Sequence, residues 1–252
     1  MQEQSNQMEG GLESVFDRIV IISLLTRADR RAEITAELRR LHLTPGQGNV
    51  RFFDAIRPDS PGEFESIGAR GCFLSHLSVL QEALDDGIGR LLILEDDAIF
   101  GRDVHGAIAR IDQDLGRPDW SMFYGGYNLL RSDGLEDSQG FLVEIDSTDP
   151  VQTTHCVGFQ GEVIGELVHY LSAMLPRPAN SPEGGPMHVD GAYSWFRAAH
   201  PSRPTWVAHP KIAFQRPSKS DIIEEERWYD RLPAISKIVT RLRRLKRWYR
   251  NF

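Results

Sequence analysis

The chain has 252 residues, of which 40% are hydrophobic and 26% are charged, and its formal net charge is −7. This is the usage of an ordinary globular domain and excludes a disordered, collagen-like or coiled-coil protein. Two cysteines exclude a disulfide framework. The sequence has no apolar run of the roughly 20 residues that a membrane span needs, and its polar start predicts no secretion signal. We therefore expect a reducing, cytoplasmic location.

The charge is divided unevenly along the chain. Residues 231–252 contain eight basic and no acidic side chains, whereas residues 1–230 contain 21 basic and 36 acidic ones, a net charge of −15. Because an acidic body repels nucleic acid, we expect no nucleic-acid partner. Apolar residues recur at helical spacing among the basic ones of the tail, which predicts a basic amphipathic helix at an anionic membrane surface. A helix docked on the acidic body is the alternative.

Strands and helices alternate through the first half of the chain. The apolar run at 18–25 predicts a strand that is buried on both faces, and Thr26 with Asp29 predicts a capped helix that runs to residue 41. The pattern then predicts a strand at 50–56, a helix at 69–87 and a strand at 91–94. This alternation indicates an α/β fold in which a mostly parallel sheet is flanked by helices.

The second half of the chain is less regular, and no clear linker separates it from the first. Its pattern predicts helices at 103–115, 162–175 and 189–199, and strands at 120–124, 141–145, 153–159 and 205–208. We therefore expect one domain at 18–230, between a flexible N-terminus at 1–17 and the C-terminal helix at 231–252.

Three carboxylates, Glu95, Asp96 and Asp97, directly follow the strand predicted at 91–94. Ligands of open α/β sheets bind at the carboxyl ends of the strands. Adjacent carboxylates need a counter-charge, and Mg²⁺ and Mn²⁺ prefer oxygen ligands. In extended geometry Glu95 and Asp97 point to one side and Asp96 to the other, so Glu95 and Asp97 are the predicted metal pair. A solvated acidic turn is an equally good interpretation.

Three other segments contain groups that could bind or react. Free amides at the helix start within 68–77 attract phosphate. Ser75 and His76 are adjacent on that helix and cannot form a catalytic dyad, and a structural role is favoured for His76. Asp190, at a predicted helix start, is either a cap or a positioned base. The loop at 209–222 has side chains that could wrap a diphosphate, with a plain surface loop as the alternative.

Several pieces of the sequence, taken in order, resemble a known family. They are Ile21-Ile22-Ser23-Leu24 with Arg27, Asp29, Arg30 and Arg31, then Phe52-Phe53-Asp54-Ala55, Gly71-Cys72-Phe73-Leu74-Ser75-His76, Leu94-Glu95-Asp96-Asp97, Asp190, and Gln215 with Ser220-Asp221-Ile222. Together they resemble glycosyltransferase family 25, the lipopolysaccharide-type glycosyltransferases, over residues 18–223.

The resemblance implies a GT-A-like, Rossmann-type fold. It also implies an inverting hexosyltransferase that uses a nucleotide sugar such as a UDP-sugar and a glycan or lipid-linked acceptor, in lipopolysaccharide or cell-surface polysaccharide synthesis. Asp97 and Glu95 would hold a divalent cation, Mn²⁺ or Mg²⁺, and Asp190 would be the catalytic base. The implied donor contacts are Ser23, Leu24, Arg27, Arg30, Asp54, Ser75, His76, Glu95, Asp96, Gln215, Arg216, Lys219 and Ser220.

Alternatives remain at this point. For Arg30, a surface salt bridge is as good an account as a phosphate contact. A non-catalytic nucleotide-sugar or carbohydrate-binding protein on the same fold is the main rival function. A metal phosphohydrolase is a third, although it would need a second set of ligands at other strand ends. If the acceptor is lipid-linked, the basic tail would hold the enzyme at the inner face of the cytoplasmic membrane.

Overall fold

The structure, a computed structural model, describes residues 11–116, 120–129 and 140–217. The helices in these ranges are α1 (Leu12–Val15), α2 (Ala28–Arg40), α3 (Ile67–Asp85), α4 (Val104–Leu115), α5 (Val163–Met174) and α6 (Val189–Ala199). The strands are β1 (Arg18–Ser23), β2 (Val50–Asp54), β3 (Arg90–Glu95), β4 (Ala98–Phe100), β5 (Met122–Leu129), β6 (Leu142–Ile145), β7 (Val151–Gln160), β8 (Thr205–Ala208) and β9 (Ala213–Gln215).

Seven strands form one sheet in the order β2-β1-β3-β7-β5-β8-β6. β1 pairs in parallel with β2 and β3, and β5 pairs in parallel with β8, whereas β7 and β6 run antiparallel to their neighbours. Five of the seven strands therefore point the same way. The predicted α/β fold, a mostly parallel sheet flanked by helices, is confirmed. β4 and β9 form a separate two-stranded antiparallel sheet that the sequence pattern did not indicate.

Alternate residues of the central strands are buried on opposite faces of the large sheet. In β3, Leu91 and Ile93 pack with the side chains of α3, α5 and α6. Leu92 and Leu94 pack on the other face, with those of α1, α2 and α4. Burial of each such side chain contributes about 1.5–3 kcal/mol. This period of two also determines which way the side chains at the end of β3 point.

Helix α3 has a defined stop and start. The Ser66 hydroxyl caps its N-terminus by accepting a hydrogen bond of 3.0 Å from the amide of Ala69. Just past its C-terminus, Gly87 adopts a φ of 66°, which a glycine tolerates. The helix therefore begins two residues earlier than the sequence predicts, and its position relative to the sheet is fixed at both ends.

Two predictions about the start of the chain are corrected. Leu12 and Phe16, expected in a flexible segment, are 1% exposed because they pack into the core, where Phe16 meets Trp120 edge to face. Thr26 does not cap α2, whose first turn has no side-chain cap. The carboxylate of Asp29 pairs instead with Arg27, whose hydrogen bond lowers the pKa of Asp29 to about 2.

Some predictions fall outside the described residues. They are the basic C-terminal helix at 231–252 and the donor contacts Lys219 and Ser220. Within the ranges that are described, no helix is both long and apolar enough to cross a bilayer.

Candidate active site

The parallel strands bring polar side chains together at one edge of the sheet. Ser23 ends β1 opposite Asp54, which ends β2, and Ile22 lies opposite Glu95 at the end of β3. Because the carboxyl ends of parallel strands meet at the same edge, the acidic triplet follows directly at this place. This arrangement agrees with the ligand-binding edge expected from the sequence.

Asp96 faces α2 and is held there by two groups. Its carboxylate accepts a hydrogen bond of 2.8 Å from the hydroxyl of Ser23, and the guanidinium of Arg30 lies 3.1 Å away. Burial raises the pKa of Asp96, although both contacts act in the opposite direction. Arg30 therefore forms the salt bridge that the sequence left open, with a partner that is 7% exposed rather than at the surface.

Glu95 faces the opposite side of the sheet, toward α3. Its Oε1 accepts a hydrogen bond of 2.6 Å from the Thr154 hydroxyl and lies 3.5 Å from Nε2 of His76. His76 in turn is held through Nδ1, 3.0 Å from the Tyr193 hydroxyl. Burial alone would raise the pKa of Glu95, but His76, Thr154 and His155 outweigh it, and the pKa is lowered. These contacts favour the charged form of Glu95.

Asp97 is the least satisfied of the three carboxylates. Its Oδ2 accepts a hydrogen bond of 3.1 Å from the side-chain amide of Gln215, and its backbone carbonyl accepts one of 2.7 Å from the amide of Arg216. Its Oδ1 is buried without a hydrogen-bond partner. Burial, together with the charges of Glu95 and Asp96, raises the pKa of Asp97 to about 7.

This environment fits a divalent cation at Asp97. A buried carboxylate oxygen without a donor, next to two further carboxylates, is an unfavourable arrangement unless positive charge is supplied. Oxygen ligands of this type suit Mg²⁺ and Mn²⁺. The observation supports Asp97 as a metal ligand more directly than Glu95, whose carboxylate is turned toward His76 and Thr154.

A second possible ligand group lies beside it. Among the described side chains, those of Cys72, His76 and Glu95 place three ligand atoms within 4.8 Å of one another. Burial and the negative charges of Glu95, Asp190 and Asp97 raise the pKa of the Cys72 thiol. Thiolate ligands select softer metals such as Zn²⁺, whereas carboxylates suit the Mg²⁺ or Mn²⁺ expected at Asp97.

Asp190 is near the same end of the sheet. Its charge, like those of Glu95 and Asp97, raises the pKa of the Cys72 thiol on α3, so the three carboxylates act on the same side chain. Asp190 lies in the first turn of α6 and accepts hydrogen bonds of 3.1 Å from the amide of Thr153 and 2.7 Å from that of Gly191. Thr153 has a φ of 70°, which is rare for a β-branched residue. The amide that donates to the carboxylate of Asp190 thus belongs to a strained residue of β7.

The other predicted donor contacts are used within the protein. The Ser75 hydroxyl is buried, donates to the carbonyl of Gly71 and accepts from the amide of Ile56, so it ties α3 to the end of β2. Asp54 pairs with Arg31, and the guanidinium of Arg216 pairs with Glu33.

The remaining two contacts lie just after β1. Arg27 forms a 2.9 Å ion pair with Asp29, and the backbone carbonyl of Leu24 accepts from the amide of Arg27. Both groups therefore shape the turn between β1 and α2.

Three residues that shape the site are not among the predicted site residues, although Arg31 is one of those that carry the family resemblance. Arg31 bonds to Asp54 and to the backbone carbonyl of Ser23, Thr154 binds Glu95, and Tyr193 holds His76. One available signal was the polar pair Thr154-His155, which directly precedes the apolar run Cys156-Val157-Gly158-Phe159 of β7. Tyr193 gave none, because a tyrosine on a buried helix face is ordinary core.

Comparison with known proteins bears on the same region. Residues 66–126, from the cap of α3 through the acidic triplet into β5, match the model described as glycosyltransferase family 25 (LPS biosynthesis protein). The resemblance to glycosyltransferase family 25 is confirmed. The matched segment contains Cys72, His76 and the three carboxylates, while Asp190 and Gln215 lie beyond it.

The similar curated proteins include some that are named as glycosyltransferases and some that are named as inactive members of glycosyltransferase family 25. The chain is 30% identical over 149 residues to human inactive glycosyltransferase 25 family member 3, covering 51% of this chain and 25% of that protein. It is 24% identical over 153 residues to mouse procollagen galactosyltransferase 2, covering 59% and 23%. It is 31% identical over 105 residues to the lacto-N-neotetraose biosynthesis glycosyltransferase LgtE of Neisseria meningitidis, covering 35% of each.

The chain thus spans about a quarter of the length of the first two relatives and about a third of LgtE. Among solved structures, a glycosyltransferase involved in the glycosylation of the major capsid of PBCV-1 aligns with 75% of this chain and 81% of its own at 16% identity. The TM-score is 0.45, so the likeness adds nothing to the fold described above.

Proposed function

We propose that this protein is a metal-dependent, inverting glycosyltransferase that transfers a hexose from a nucleotide sugar to a saccharide acceptor in cell-surface glycan synthesis. The observation that carries the proposal is Asp97, a buried carboxylate with an unpartnered oxygen beside Glu95 and Asp96, at the carboxyl edge of parallel strands. The match of the surrounding segment to glycosyltransferase family 25 supports the reaction class.

The proposed reaction follows from the roles of this chain's own residues. Asp97, positioned by Gln215, would hold the divalent cation, which when bound neutralises the charge developing on the diphosphate leaving group. Asp190 takes the proton of the acceptor hydroxyl as that oxygen bonds to the anomeric carbon. The bond from that carbon to the phosphate oxygen breaks, and its electron pair leaves with the diphosphate. Attack opposite the leaving group inverts the sugar carbon.

Asp96 and Arg30 have a supporting role in this proposal. Their 3.1 Å ion pair and the Ser23 hydrogen bond hold the start of α2 against the end of β3. A nucleotide bound at this edge would lie next to them, since the site is at the carboxyl ends of β1 and β3. Glu95, held by Thr154 and near His76, keeps a negative charge beside the cation site.

A panel of nucleotide sugars, beginning with UDP-galactose and UDP-glucose, tests the proposal. Transfer to lactose, N-acetylglucosamine and their lipid-linked forms is measured with Mn²⁺, with Mg²⁺ and with a chelator. The choice of UDP-galactose follows the name of procollagen galactosyltransferase 2. We expect transfer, or slow hydrolysis of the donor, that depends on the added cation.

The rival function is a binding protein on the same fold. This alternative is relevant because some of the similar proteins are named as inactive glycosyltransferase 25 family members. Such a protein would bind a nucleotide sugar by calorimetry without turning it over in any of these mixtures. That outcome would overturn the enzymatic proposal.

We also propose that the basic tail holds the protein at the inner face of the cytoplasmic membrane. This proposal rests on the sequence of residues 231–252, which combine eight basic side chains with apolar residues at helical spacing. A lipid-linked acceptor would lie in that plane, so membrane attachment would raise its local concentration around the enzyme.

A further inference from the structure

A cavity of about 790 Å³ opens beside Asp190. Its lining includes the side of α6 that carries Asp190, Ser194 and Trp195, the first residues of β7, and Tyr170 from α5. This volume lies within the roughly 300–1,000 Å³ of ligand sites in proteins. The cavity is therefore large enough for a small ligand and has the proposed base in its wall.

Trp195 is the unusual residue of this cavity. It is 42% exposed, whereas its helix neighbours Tyr193 and Phe196 are fully buried. Its ring packs against the backbone of Gly184, where an added Cβ would lie 3.1 Å from the ring. Gly184 has a φ of 83°, so a side chain there would be strained as well as crowded. The chain at Gly184 thus covers part of the indole of Trp195 and leaves the rest exposed.

The lining has the polarity that a neutral saccharide requires. Trp195 and Tyr170 supply aromatic surface, and Gln152, Asp190 and Glu183 supply polar side chains. Sugars combine apolar C–H faces with polar hydroxyl edges, and amphipathic aromatic side chains match that combination. Ser194 follows Asp190 by four positions, about one helical turn, and Trp195 is the next residue, so α6 presents all three to the cavity wall.

The same lining argues against the nucleotide sugar itself. None of the described residues around the cavity is a lysine or arginine, and two of them are carboxylates. A diphosphate placed there would be repelled and would lack the charge-assisted partners that phosphates usually find. The carboxyl edge at Asp97 and this cavity therefore offer different chemistry, one for a metal-bound diphosphate and one for an uncharged ligand.

We propose that this cavity binds the acceptor saccharide, with Trp195 as the platform on which a sugar ring stacks next to Asp190. The inference rests on the proposed function in one respect, because it assigns the bound sugar the role of acceptor. The binding of a saccharide at Trp195 does not itself depend on turnover, so the two statements can be tested separately.

The test compares the full-length protein with Trp195→Ala and Trp195→Phe. Leu84→Ala serves as the matched control, since Leu84 is a hydrophobic residue of similar exposure, 43%, on α3. Saturation-transfer NMR measures binding of methyl β-D-galactoside, methyl β-D-glucoside, lactose and N-acetylglucosamine at millimolar concentration. Thermal unfolding confirms that each variant is folded.

We expect at least one of these sugars to bind, and Trp195→Ala to weaken that binding by about tenfold, which corresponds to the loss of one aromatic contact. Trp195→Phe should restore part of the affinity because it retains an aromatic face. In turnover assays, Trp195→Ala should raise the acceptor KM and leave the donor KM unchanged. The Leu84→Ala control should match the wild type throughout.

The outcomes separate this inference from the proposed function. Transfer with an acceptor KM that is unaffected by Trp195→Ala would overturn the inference and leave the glycosyltransferase intact. Trp195-dependent sugar binding without transfer from any donor would leave a saccharide site and overturn the enzyme. Failure of the wild type to bind any of the four sugars would also overturn the inference, whatever the turnover result.

Discussion

Asp97 is buried beside two other carboxylates, and its chemistry follows from that environment. The change Asp97→Asn keeps the shape of the side chain and its contact with Gln215 but removes the charge that would hold a cation. We expect turnover to fall by about a hundredfold or more while the fold survives. Steady-state rates at several Mn²⁺ concentrations measure this. Near-normal activity with unchanged metal dependence would show that Asp97 is not a ligand.

The same variant gives a prediction for stability without metal. The folded protein raises the pKa of Asp97 from 3.8 to about 7. Between these pH values the unfolded chain binds fewer protons than the folded one, so the free energy of unfolding falls as pH rises. Asp97→Asn has no carboxyl group at this position, so its free energy of unfolding does not fall for this reason. The free energy of unfolding of the variant, relative to that of the wild type, should therefore increase from about pH 4 to about pH 7 and then level off. Thermal unfolding in chelator at pH 4, 5.5 and 8 tests this; a difference independent of pH would contradict it.

Asp190 has two possible roles that a single substitution separates. An asparagine keeps one acceptor oxygen, so one of the hydrogen bonds from Thr153 and Gly191 would be lost, at a cost of about 1 kcal/mol. If Asp190 is the base, Asp190→Asn should also lower kcat by about a hundredfold or more and leave donor affinity nearly unchanged. Initial rates and donor titrations check both. A fully active variant would assign Asp190 to the helix terminus alone.

At the scale of elements, the close crossing of α3 over the end of β2 positions the site. A Cβ on Gly71 would lie 2.4 Å from the backbone carbonyl of Ile56, the residue whose amide binds Ser75. Gly71→Ala should therefore destabilise the protein by about 1–3 kcal/mol, although alanine is the better helix former. Chemical denaturation measures this.

Gly106 in α4 is the matched control for that prediction. An added Cβ there meets nothing within 4 Å, so Gly106→Ala should be neutral or stabilise by up to about 1 kcal/mol. If both substitutions stabilise the protein equally, the close packing of α3 on β2 is not as described.

At the scale of the whole molecule, the acidic body and the basic tail make opposite contributions to membrane binding. We expect the intact protein to sediment with anionic vesicles at low salt and much less at high salt, because each basic residue near the surface contributes about 1 kcal/mol. Deletion from Ser236 onward should abolish binding. Vesicles of neutral lipid are the control. An intact protein that stays in solution at low salt would refute the membrane proposal, and a deletion that unfolds the protein would favour a docked helix.

The sequence by itself determined the fold class and the position of the acidic triplet at the edge of the sheet. Apolar runs in β1 and β3 require burial on both faces, and parallel strands bring their carboxyl ends to one edge, where the sequence analysis expected the acidic triplet. The period of two in β3 also placed Glu95 and Asp96 on opposite faces. These features depend on local pattern and covalent geometry, which a sequence displays directly.

Only the tertiary structure decided the partners of those side chains. β7 enters antiparallel between β3 and β5 and brings Thr154 to Glu95, β9 brings Gln215 to Asp97, and α6 places Tyr193 against His76. The cavity at Trp195 likewise forms only where α6, α5 and β7 meet. Such contacts join residues about 60 to 120 positions apart in the chain, and no local periodicity encodes them, because they result from the packing of whole elements.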